Sequence, residues 1–369
     1  MFLSDLKGFF NKLAALALVL FLFALSFAGA ENEKSILLTF TGDCTLGSED
    51  RLQYKSYSFH GYIGRYGYGY PFEKTKDYFA QDDLTIVNLE NVFYNNEAGR
   101  VKKTYSFRGP TDYARILNEG SVELAFLGNN HILDYGSKGM DSTIQALNAH
   151  GVGWFGSNAE LSGSYIFEKD GIKIGFAGAY APFWISSPDG LKATLDELKK
   201  SGCSAIVAVI HGGSEYSPLR DIYQQRTASW LVRNGADVVI GHHPHVVQGV
   251  DIIDDVSVVY SLGNFSFGGN RELRAVYALL ARVELRFDDN LAYLGHQINL
   301  IPVSPSGTPD KNNYQPVFLT GEAAKKTMAL AQRDTAFQLA PYQEGIGAVQ
   351  TFIPAVPADL NNETDPESR

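Results

Sequence analysis

Three histidines stand within four positions in the segment "DVVIGHHPH", residues 237–245. The apolar run before them predicts a buried strand, so the histidines emerge where that strand ends. His243 and His245 are separated by one residue, a spacing at which two imidazoles reach one ion if the loop turns suitably. Pro244 favours an extended backbone at His243. A His-x-His pair alone is weak evidence for a metal, because exposed or hydrogen-bonded histidines are common.

Five further apolar runs also end in residues that could do chemistry. They are "SILLTF" before Thr41-Gly42-Asp43, "LTIV" before Asn88-Leu89-Glu90, "VELAFL" before Gly128-Asn129-Asn130-His131, "AIVAVI" before His211-Gly212-Gly213, and "VSVVY" before Ser261-Leu262-Gly263-Asn264. Each run is short, apolar throughout and rich in β-branched residues, which is typical of strands buried on both faces.

Helical segments lie between several of these runs and end at Gly or Asn-Gly, as helices commonly do. They are "TDYARILNEG", "GMDSTIQALNAHG", "LKATLDELKKSG" and "QQRTASWLVRNGA". The alternation of strands and helices predicts a largely parallel α/β sheet whose strands end at one shared edge, where such sheets bind ligands.

The predicted edge gathers oxygen and nitrogen ligands from separate strand ends. These residues are Asp43, Glu90, Asn130, His131, His211, His243 and His245. Four of the eight histidines in the chain fall in this set, more than ordinary loops would collect. Mixed oxygen and nitrogen ligands suit Zn, Mn or Fe, so the sequence predicts a divalent metal site at this edge.

Composition and the chain ends bound the class of protein. The 369 residues allow about one to three domains, and we favour one large domain. A formal charge of -10 argues against general binding of nucleic acid. Residues 1–30 combine early lysines, a long apolar run and Ala28-Gly29-Ala30, the pattern of a secretory signal peptide, with an uncleaved membrane anchor as the alternative. We therefore expect a secreted or cell-envelope protein.

Seven short motifs, taken in order, resemble a known family. They are "FTGDCTLG", "NLENVF", "YSFRGP", "LGNNHILDYGSKGMDSTIQAL", "HGGSEY", "GADVVIGHHPHVVQG" and "YSLGNFSF". Over roughly residues 36–270 the chain resembles the bacterial capsule synthesis proteins of the CapA type, which are associated with poly-gamma-glutamate. That family is similar to the calcineurin-like metallophosphoesterases. The resemblance implies an α/β, metallophosphoesterase-like sandwich of two mixed sheets flanked by helices.

The resemblance also implies roles for the residues at the sheet edge. One or two divalent ions would be held by Asp43, Glu90, Asn130, His211, His243 and His245, and His131 would be catalytic. Two departures stand out. The superfamily's first motif is Asp-x-His, whereas this chain has Asp43-Cys44-Thr45, so one ligand of the first metal is missing or supplied differently. Glu90 stands where the superfamily places an aspartate, so the side chain that carries this carboxylate is longer.

Weaker expectations concern residues around this edge. Arg108 would bind an anionic substrate group bidentately or form a surface salt bridge. Asn264 is expected near the substrate, orienting a loop. His242 is expected to be a neighbour of the ligands, and Glu215 either supports the metal site or begins a helix. His60, His150 and His296 lie outside the motifs and are expected to be structural.

The sequence also predicts how the chain ends. The domain is expected over residues 31–320, with a terminal helix and a disordered acidic tail over 321–369. Before them, "AVYALLARVELRFDD" and "LAYLGHQINLIPV" predict a strand pair that closes the second sheet. Cys44 and Cys203 would form one disulfide or remain as two buried thiols.

Two functions remain open. The first is a metal-dependent hydrolase that attacks a phosphoester or a gamma-glutamyl amide with a metal-activated water, assisted by His131. The second is a non-catalytic, polymer-binding component for poly-gamma-glutamate assembly or export. The expected partners are an anionic polymer such as poly-gamma-glutamate or a phosphoester, and membrane capsule-synthesis proteins.

Overall fold

The six apolar runs all become strands, but they divide between two sheets. The computed structural model describes residues 33–355, and the predicted signal peptide over 1–30 lies outside them. Three runs join the first sheet and three join the second, with the parallel strands of both sheets ending at one common edge. The expected sandwich of two mixed sheets is confirmed, whereas a single parallel sheet, as the alternation alone suggested, is not formed.

The first sheet contains ten strands within the described residues. They are β1 (Lys34–Thr45), β2 (Leu84–Leu89), β5 (Leu124–Phe126), β6 (Gly153–Phe155), β13 (Asn264–Phe267), β14 (Ala278–Phe287), β15 (Tyr293–Ser304), β16 (Val317–Phe318), β17 (Ala348–Val349) and β18 (Ile353–Pro354), while the short pair β3 (Val92–Phe93) and β4 (Arg108–Gly109) stands apart. Strands β1, β2, β5 and β6 are parallel, β14 pairs antiparallel with β1, and β15 pairs antiparallel with β14.

The second sheet contains six strands within residues 33–355. They are β7 (Tyr165–Lys169), β8 (Ile172–Tyr180), β9 (Ala205–His211), β10 (Val238–His242), β11 (Val250–Ile253) and β12 (Val256–Val259). Four of them, β8, β9, β10 and β12, are parallel. Strand β8 has no counterpart in the sequence prediction, because its residues "IKIGFAGAY" mix small and polar residues with the apolar ones.

Helices pack against both sheets, most of them on the outer faces. They are α1 (Phe59–Tyr66), α2 (Lys76–Phe79), α3 (Ala114–Glu119), α4 (Gly136–Ala149), α5 (Ala181–Ser186), α6 (Pro188–Lys200), α7 (Ile222–Arg233) and α8 (Gly321–Arg333). Helices α1–α4 pack on the first sheet and α5–α7 on the second, while α8 contributes to the core between the sheets.

Strand β9 shows why the central strands are apolar throughout. Val207 and Val209 face the core between the sheets, and Ile206, Ala208 and Ile210 face the helices of the second sheet. Because alternate side chains point to opposite faces, a strand covered on both sides needs apolar residues at every position. Burial on both faces therefore requires apolar residues within the central strands, whereas polar residues can stand at the strand ends.

Three expectations about the framework need correction or restriction. The strand pair β14 and β15 extends the first sheet through β1, not the second sheet. Ordered strands continue past residue 320, since β17 and β18 pair with β15, and the rest of the predicted disordered tail, residues 356–369, lies outside the described residues. Cys44 and Cys203 are both free, and only Cys44 is fully buried.

Among residues 33–355, no helix has the length and apolar character needed to cross a membrane.

Candidate metal centre

The common edge of the two sheets brings the predicted ligands together. Asp43 lies near the end of β1, Glu90 directly follows β2, and His211 ends β9. Across the second sheet, His242 of β10 pairs with His211, and across the first sheet Asp43 pairs with Asn88. In the sandwich, the carboxylate-rich edge of the first sheet therefore lies opposite the histidine-rich edge of the second sheet.

A close strand crossing sets the position of Asp43. A Cβ on Gly42 would lie 2.1 Å from the carbonyl oxygen of Gly263, so any larger residue would push β13 away from β1. The two strands are parallel here, and Asn264 is the register partner of Asp43. Gly42 thus keeps Asn264 and Asp43 side by side.

Glu90 is the centre of the cluster and its carboxylate lacks hydrogen bonds. The residue is fully buried, and neither carboxylate oxygen has a hydrogen-bond partner within residues 33–355. Glu90 Oε1 lies 3.5 Å from Nε2 of His211 and 3.8 Å from Nε2 of both His131 and His245. These separations are too long for hydrogen bonds. Atoms that each bind one ion at about 2.1 Å are themselves roughly 3 to 3.5 Å apart, so the 3.5 Å separation fits a shared cation and the 3.8 Å separations are slightly longer.

The other ligands surround the same space. The ligand atoms of Glu90, His243 and His245 all lie within 4.8 Å of one another. His211 Nε2 is 2.9 Å from Asn130 Oδ1 and 3.0 Å from His243 Nδ1. Burial raises the pKa of Glu90 well above its usual 4.5. A cation would remove that penalty, so these residues fit a divalent ion.

Asp43 is in the opposite condition, because its carboxylate is already well partnered. Asn88 donates to Oδ1 at 2.8 Å, His245 Nδ1 lies 2.9 Å from Oδ2, and His242 Nδ1 lies 3.4 Å from Oδ1. Burial alone would raise the pKa of Asp43, but His242 and His245 lower it well below 3.8. His242 is thus a neighbour of the ligands, as expected.

The departure from Asp-x-His leaves no ligand at position 45. The Thr45 hydroxyl donates to the backbone carbonyl of Glu90 at 3.3 Å. Cys44 points into the apolar core of the first sheet, where burial raises the pKa of its thiol to about 12. The Glu90 side of the cluster therefore offers a more complete ligand set than the Asp43 side.

The loop that carries the histidine pair has an unusual backbone. His243 has φ of +99° and His245 has φ of +59°, both in the region that L-residues rarely adopt. The prediction that Pro244 keeps His243 extended is wrong. The turn brings the Nδ1 atom of His243 to His211, and such local strain is typical of functional sites.

His131 is held beside the cluster by residues that the motifs did not single out. Its Nδ1 lies 2.7 Å from Oδ2 of Asp134, and its ring packs on Phe107 with centroids 4.6 Å apart. Lys103 pairs with the other oxygen of Asp134 and donates to the backbone carbonyl of Asn130 at 2.9 Å. Asp134 comes three positions after His131 and could have been suspected, whereas nothing in the sequence around Lys103 points to the site.

Asn88 is another site residue that the sequence reasoning missed. Its side chain lies 2.8 Å from Asp43 Oδ1, 3.1 Å from His211 Nδ1 and 3.0 Å from the Asn129 side chain. The signal was present, because side chains two positions apart on a strand share one face, and Asn88 precedes Glu90 by two. Asn88 thus links the two sheets directly beneath the ligands.

The weaker expectations had mixed outcomes. Asn264 is in the cluster, with Oδ1 located 2.9 Å from His245 Nδ1, so it orients a ligand. Arg108 is not brought into the cluster: its buried guanidinium donates to Asp50 at 2.5 Å, and to Gln53 and Glu97. Its contact with substrate stays a prediction. Glu215 is exposed and precedes α7 by several residues, so it does not begin a helix, while its charge raises the pKa of His245.

The chain is also similar in sequence to known proteins. The family model described as bacterial capsule synthesis protein PGA_cap matches residues 37–269. The capsule biosynthesis protein CapA of Bacillus anthracis is 27% identical over 259 residues, which cover 64% of this chain and 61% of that protein.

Two further relatives have related names. The PGA biosynthesis protein CapA of Bacillus subtilis (strain 168) is 27% identical over 215 residues, covering 53% of this chain and 56% of that protein. A probable polyglutamine synthesis accessory protein of Mycobacterium tuberculosis is 24% identical over 230 residues, covering 54% and 60%. The chain thus spans about three fifths of the length of the curated relatives it matches.

Proposed function

The chain belongs to the bacterial capsule synthesis protein family PGA_cap, and on that premise we propose that it is an extracytoplasmic, metal-dependent hydrolase of capsule or poly-gamma-glutamate biosynthesis. One observation carries the hydrolase proposal: the buried carboxylate of Glu90, which has no hydrogen-bond partner among the described residues, faces three histidines. A buried, unpaired carboxylate is costly unless a cation or proton neutralises it.

The ligand set proposed for the ion is drawn from the distances. Glu90, Asn130, His211 and His243 surround one position, and His245 reaches it from the Asp43 side. Oxygen and imidazole donors suit Mn, Zn or Fe. When bound, the ion would act as a Lewis acid that polarises the substrate and activates water.

His131 is proposed as the catalytic residue because it is oriented and its outer nitrogen is free to act. Asp134 accepts from Nδ1, which fixes the tautomer and leaves Nε2 directed at the cluster. In that tautomer Nε2 carries no proton while the ring is neutral, so it would first accept a proton from the attacking water and then donate it to the leaving group, or stabilise negative charge there as the protonated ring. Lys103 and Asp134 are positioning residues for this imidazole.

The substrate is proposed from the family and the chemistry together. Activated water can attack a phosphoester or a gamma-glutamyl amide, and the names of two relatives refer to PGA and to polyglutamine synthesis. The extracytoplasmic location rests on the signal-like pattern of residues 1–30.

The test is turnover by the metal-loaded protein on a phosphomonoester and on a gamma-glutamyl anilide, with metal content measured in the same preparations. His131→Ala is expected to lower turnover by about 100-fold or more while metal content is retained. His150→Ala, at a histidine outside the cluster, is the matched control and should leave turnover unchanged. A metal-loaded wild type that cleaves neither substrate, or an equal loss in both variants, would contradict the proposal.

A second function, a non-catalytic component that binds polymer during poly-gamma-glutamate assembly or export, is favoured by a different observation. Asp43 is fully partnered without an ion, and position 45 offers no ligand, so a complete two-metal centre is not required by the contacts. This alternative expects His131→Ala to leave capsule assembly nearly unchanged. Loss of assembly in that variant, with polymer binding intact, would rule it out.

A further inference from the structure

A second polar pocket lies beside the metal centre, and no motif identified it. The pocket measures about 300 Å³, at the lower end of small-ligand sites. Its lining includes Arg51, Arg271, Arg274, Tyr57 and Tyr105. Three arginines in one pocket are unexpected in a chain with a net charge of -10. The pocket, hereafter the arginine pocket, therefore differs in charge from the protein as a whole.

Two of the three arginines have no carboxylate partner. Arg51 is neutralised by Glu49 through contacts of 2.7 and 3.0 Å. Arg271 instead lies over the Tyr57 ring at 4.1 Å and Arg274 over the Tyr216 ring at 5.4 Å, and neither forms an ion pair within residues 33–355. Stacking on aromatic rings holds a guanidinium in place, and without a carboxylate partner its charge remains available to an anion.

The arginine pocket is separated from the metal centre by one layer of aromatic side chains. Tyr216 packs against His245 with ring centroids 5.9 Å apart, which links Arg274 to a proposed metal ligand. On the other wall, Tyr105 stacks on Phe107 at 6.4 Å, and Phe107 packs on His131 at 4.6 Å. A substrate lying at the cluster would reach this pocket with a neighbouring group.

We propose that the arginine pocket binds a side carboxylate of a gamma-linked glutamate chain, next to the bond that lies at the metal centre. Each gamma-linked residue carries one free carboxylate, which matches the fork of an arginine. Glu49 and Glu272 also line the pocket, so its positive charge is modest and better suited to a carboxylate than to a phosphate dianion. The role beside the reacting bond rests on the proposed hydrolase function, whereas the binding itself does not.

The test measures affinity for a short gamma-linked glutamate oligomer by calorimetry at fixed low ionic strength. The double variant Arg271→Gln, Arg274→Gln is expected to weaken binding by at least about tenfold, because it removes two charge-assisted contacts. The matched control is Arg226→Gln, Arg233→Gln on α7, which removes the same charge elsewhere and should change affinity by less than about twofold. Inorganic tripolyphosphate serves as the competing phosphate probe.

The possible outcomes test the arginine pocket and the hydrolase proposal separately. Equal affinity in wild type and pocket variant, or an equal loss in the control, would overturn the arginine pocket. Tighter, arginine-dependent binding of tripolyphosphate would overturn the carboxylate assignment. Arginine-dependent oligomer binding in a protein without turnover would support the pocket while contradicting the hydrolase, because turnover and metal content are measured on the same preparations.

Discussion

His245 and His296 are both buried histidines, and they lie at opposite ends of the sandwich. His296 lies on β15, which pairs with β14, and β14 pairs in turn with the first residues of β1. His296 also forms a hydrogen bond with Ser257, near the start of β12 in the second sheet. Its Nε2 lies 2.8 Å from the Ser257 hydroxyl and its Nδ1 lies 2.8 Å from the Tyr293 hydroxyl. Both ring nitrogens have neutral partners, so the residue joins the two sheets without needing an ion.

His245 has the same burial but different neighbours. It stands between Asp43 at 2.9 Å and Glu90 at 3.8 Å, and its neighbour His243 has a strained backbone. Burial lowers the pKa of His245, yet Glu90 and Asp43 raise it to about 9. Burial of a histidine therefore says little by itself. The carboxylate without hydrogen bonds beside it is the feature that distinguishes a candidate metal centre from a structural link.

Removing the charge of Glu90 should have the largest effect. Glu90→Gln is expected to lower metal affinity by about 1000-fold or more, because the carboxylate that faces His211, His243 and His245 loses its charge. The metal-free variant should be at least as stable as the metal-free wild type, since a buried, unpaired carboxylate is gone.

Asp237→Asn is the control for that change. Asp237 is a partly buried carboxylate, and it accepts from the backbone N–H of Ile206 at 2.7 Å. Its variant should keep the metal. Titration calorimetry measures the metal affinity, and thermal unfolding with and without metal measures the stability. Tight metal binding by Glu90→Gln would contradict the distinction between the metal centre and the His296 end of the sandwich.

Loss of the Asn264 amide should have a smaller effect on the same site. Asn264 Oδ1 lies 2.9 Å from His245 Nδ1 and helps to orient the ring. Asn264→Ala is expected to weaken metal binding by about 10- to 100-fold, as the loss of groups that orient ligands usually does. Unchanged affinity would mean that Asp43 orients His245 without help.

At the other end of the sandwich, removal of the His296 side chain should change stability but not metal content. His296→Ala leaves a cavity and removes the partners of Ser257, which is expected to lower the free energy of unfolding by about 2 to 3 kcal/mol. Metal content should not change. Urea unfolding and elemental analysis check the pair of expectations, and metal loss in this variant would show that the two ends are coupled.

The pH dependence of stability should show a smaller effect at His296. Burial lowers the pKa of His296 from 6.5 to about 4, so the unfolded chain takes up a proton before the folded one does. The stabilisation is complete above pH 6.5 and is lost as the pH falls towards 4. His296→Gln should therefore flatten the acid side of the stability profile by about 1 to 2 kcal/mol. A profile parallel to that of the wild type would contradict this prediction.

The sequence pattern predicted which residues meet at the sheet edge better than it predicted how the strands divide between two sheets. Asp43, Glu90 and His211 lie at the ends of parallel strands, which bring their carboxyl ends to one edge, so their convergence was accessible from pattern alone. The division of the strands between two sheets could not be predicted from the pattern, because an apolar run carries no information about which sheet it joins. The family resemblance supplied that information.

Contacts made outside the strands were harder to predict. Arg108 pairs with Asp50 and Glu97, and the sequence pattern does not predict where the segments that carry these two residues lie. Lys103 likewise reaches Asp134 from a loop. Loop contacts depend on the whole fold, whereas strand-end contacts depend mainly on strand direction.

The central claim is that the cluster around Glu90 holds a divalent ion, and metal content is its most direct test. Elemental analysis would compare purified wild type with the double variant His243→Ala, His245→Ala after reconstitution with Mn, Zn or Fe. We expect near-stoichiometric metal in the wild type and its loss in the variant. A wild type that takes up no metal after reconstitution would contradict the claim.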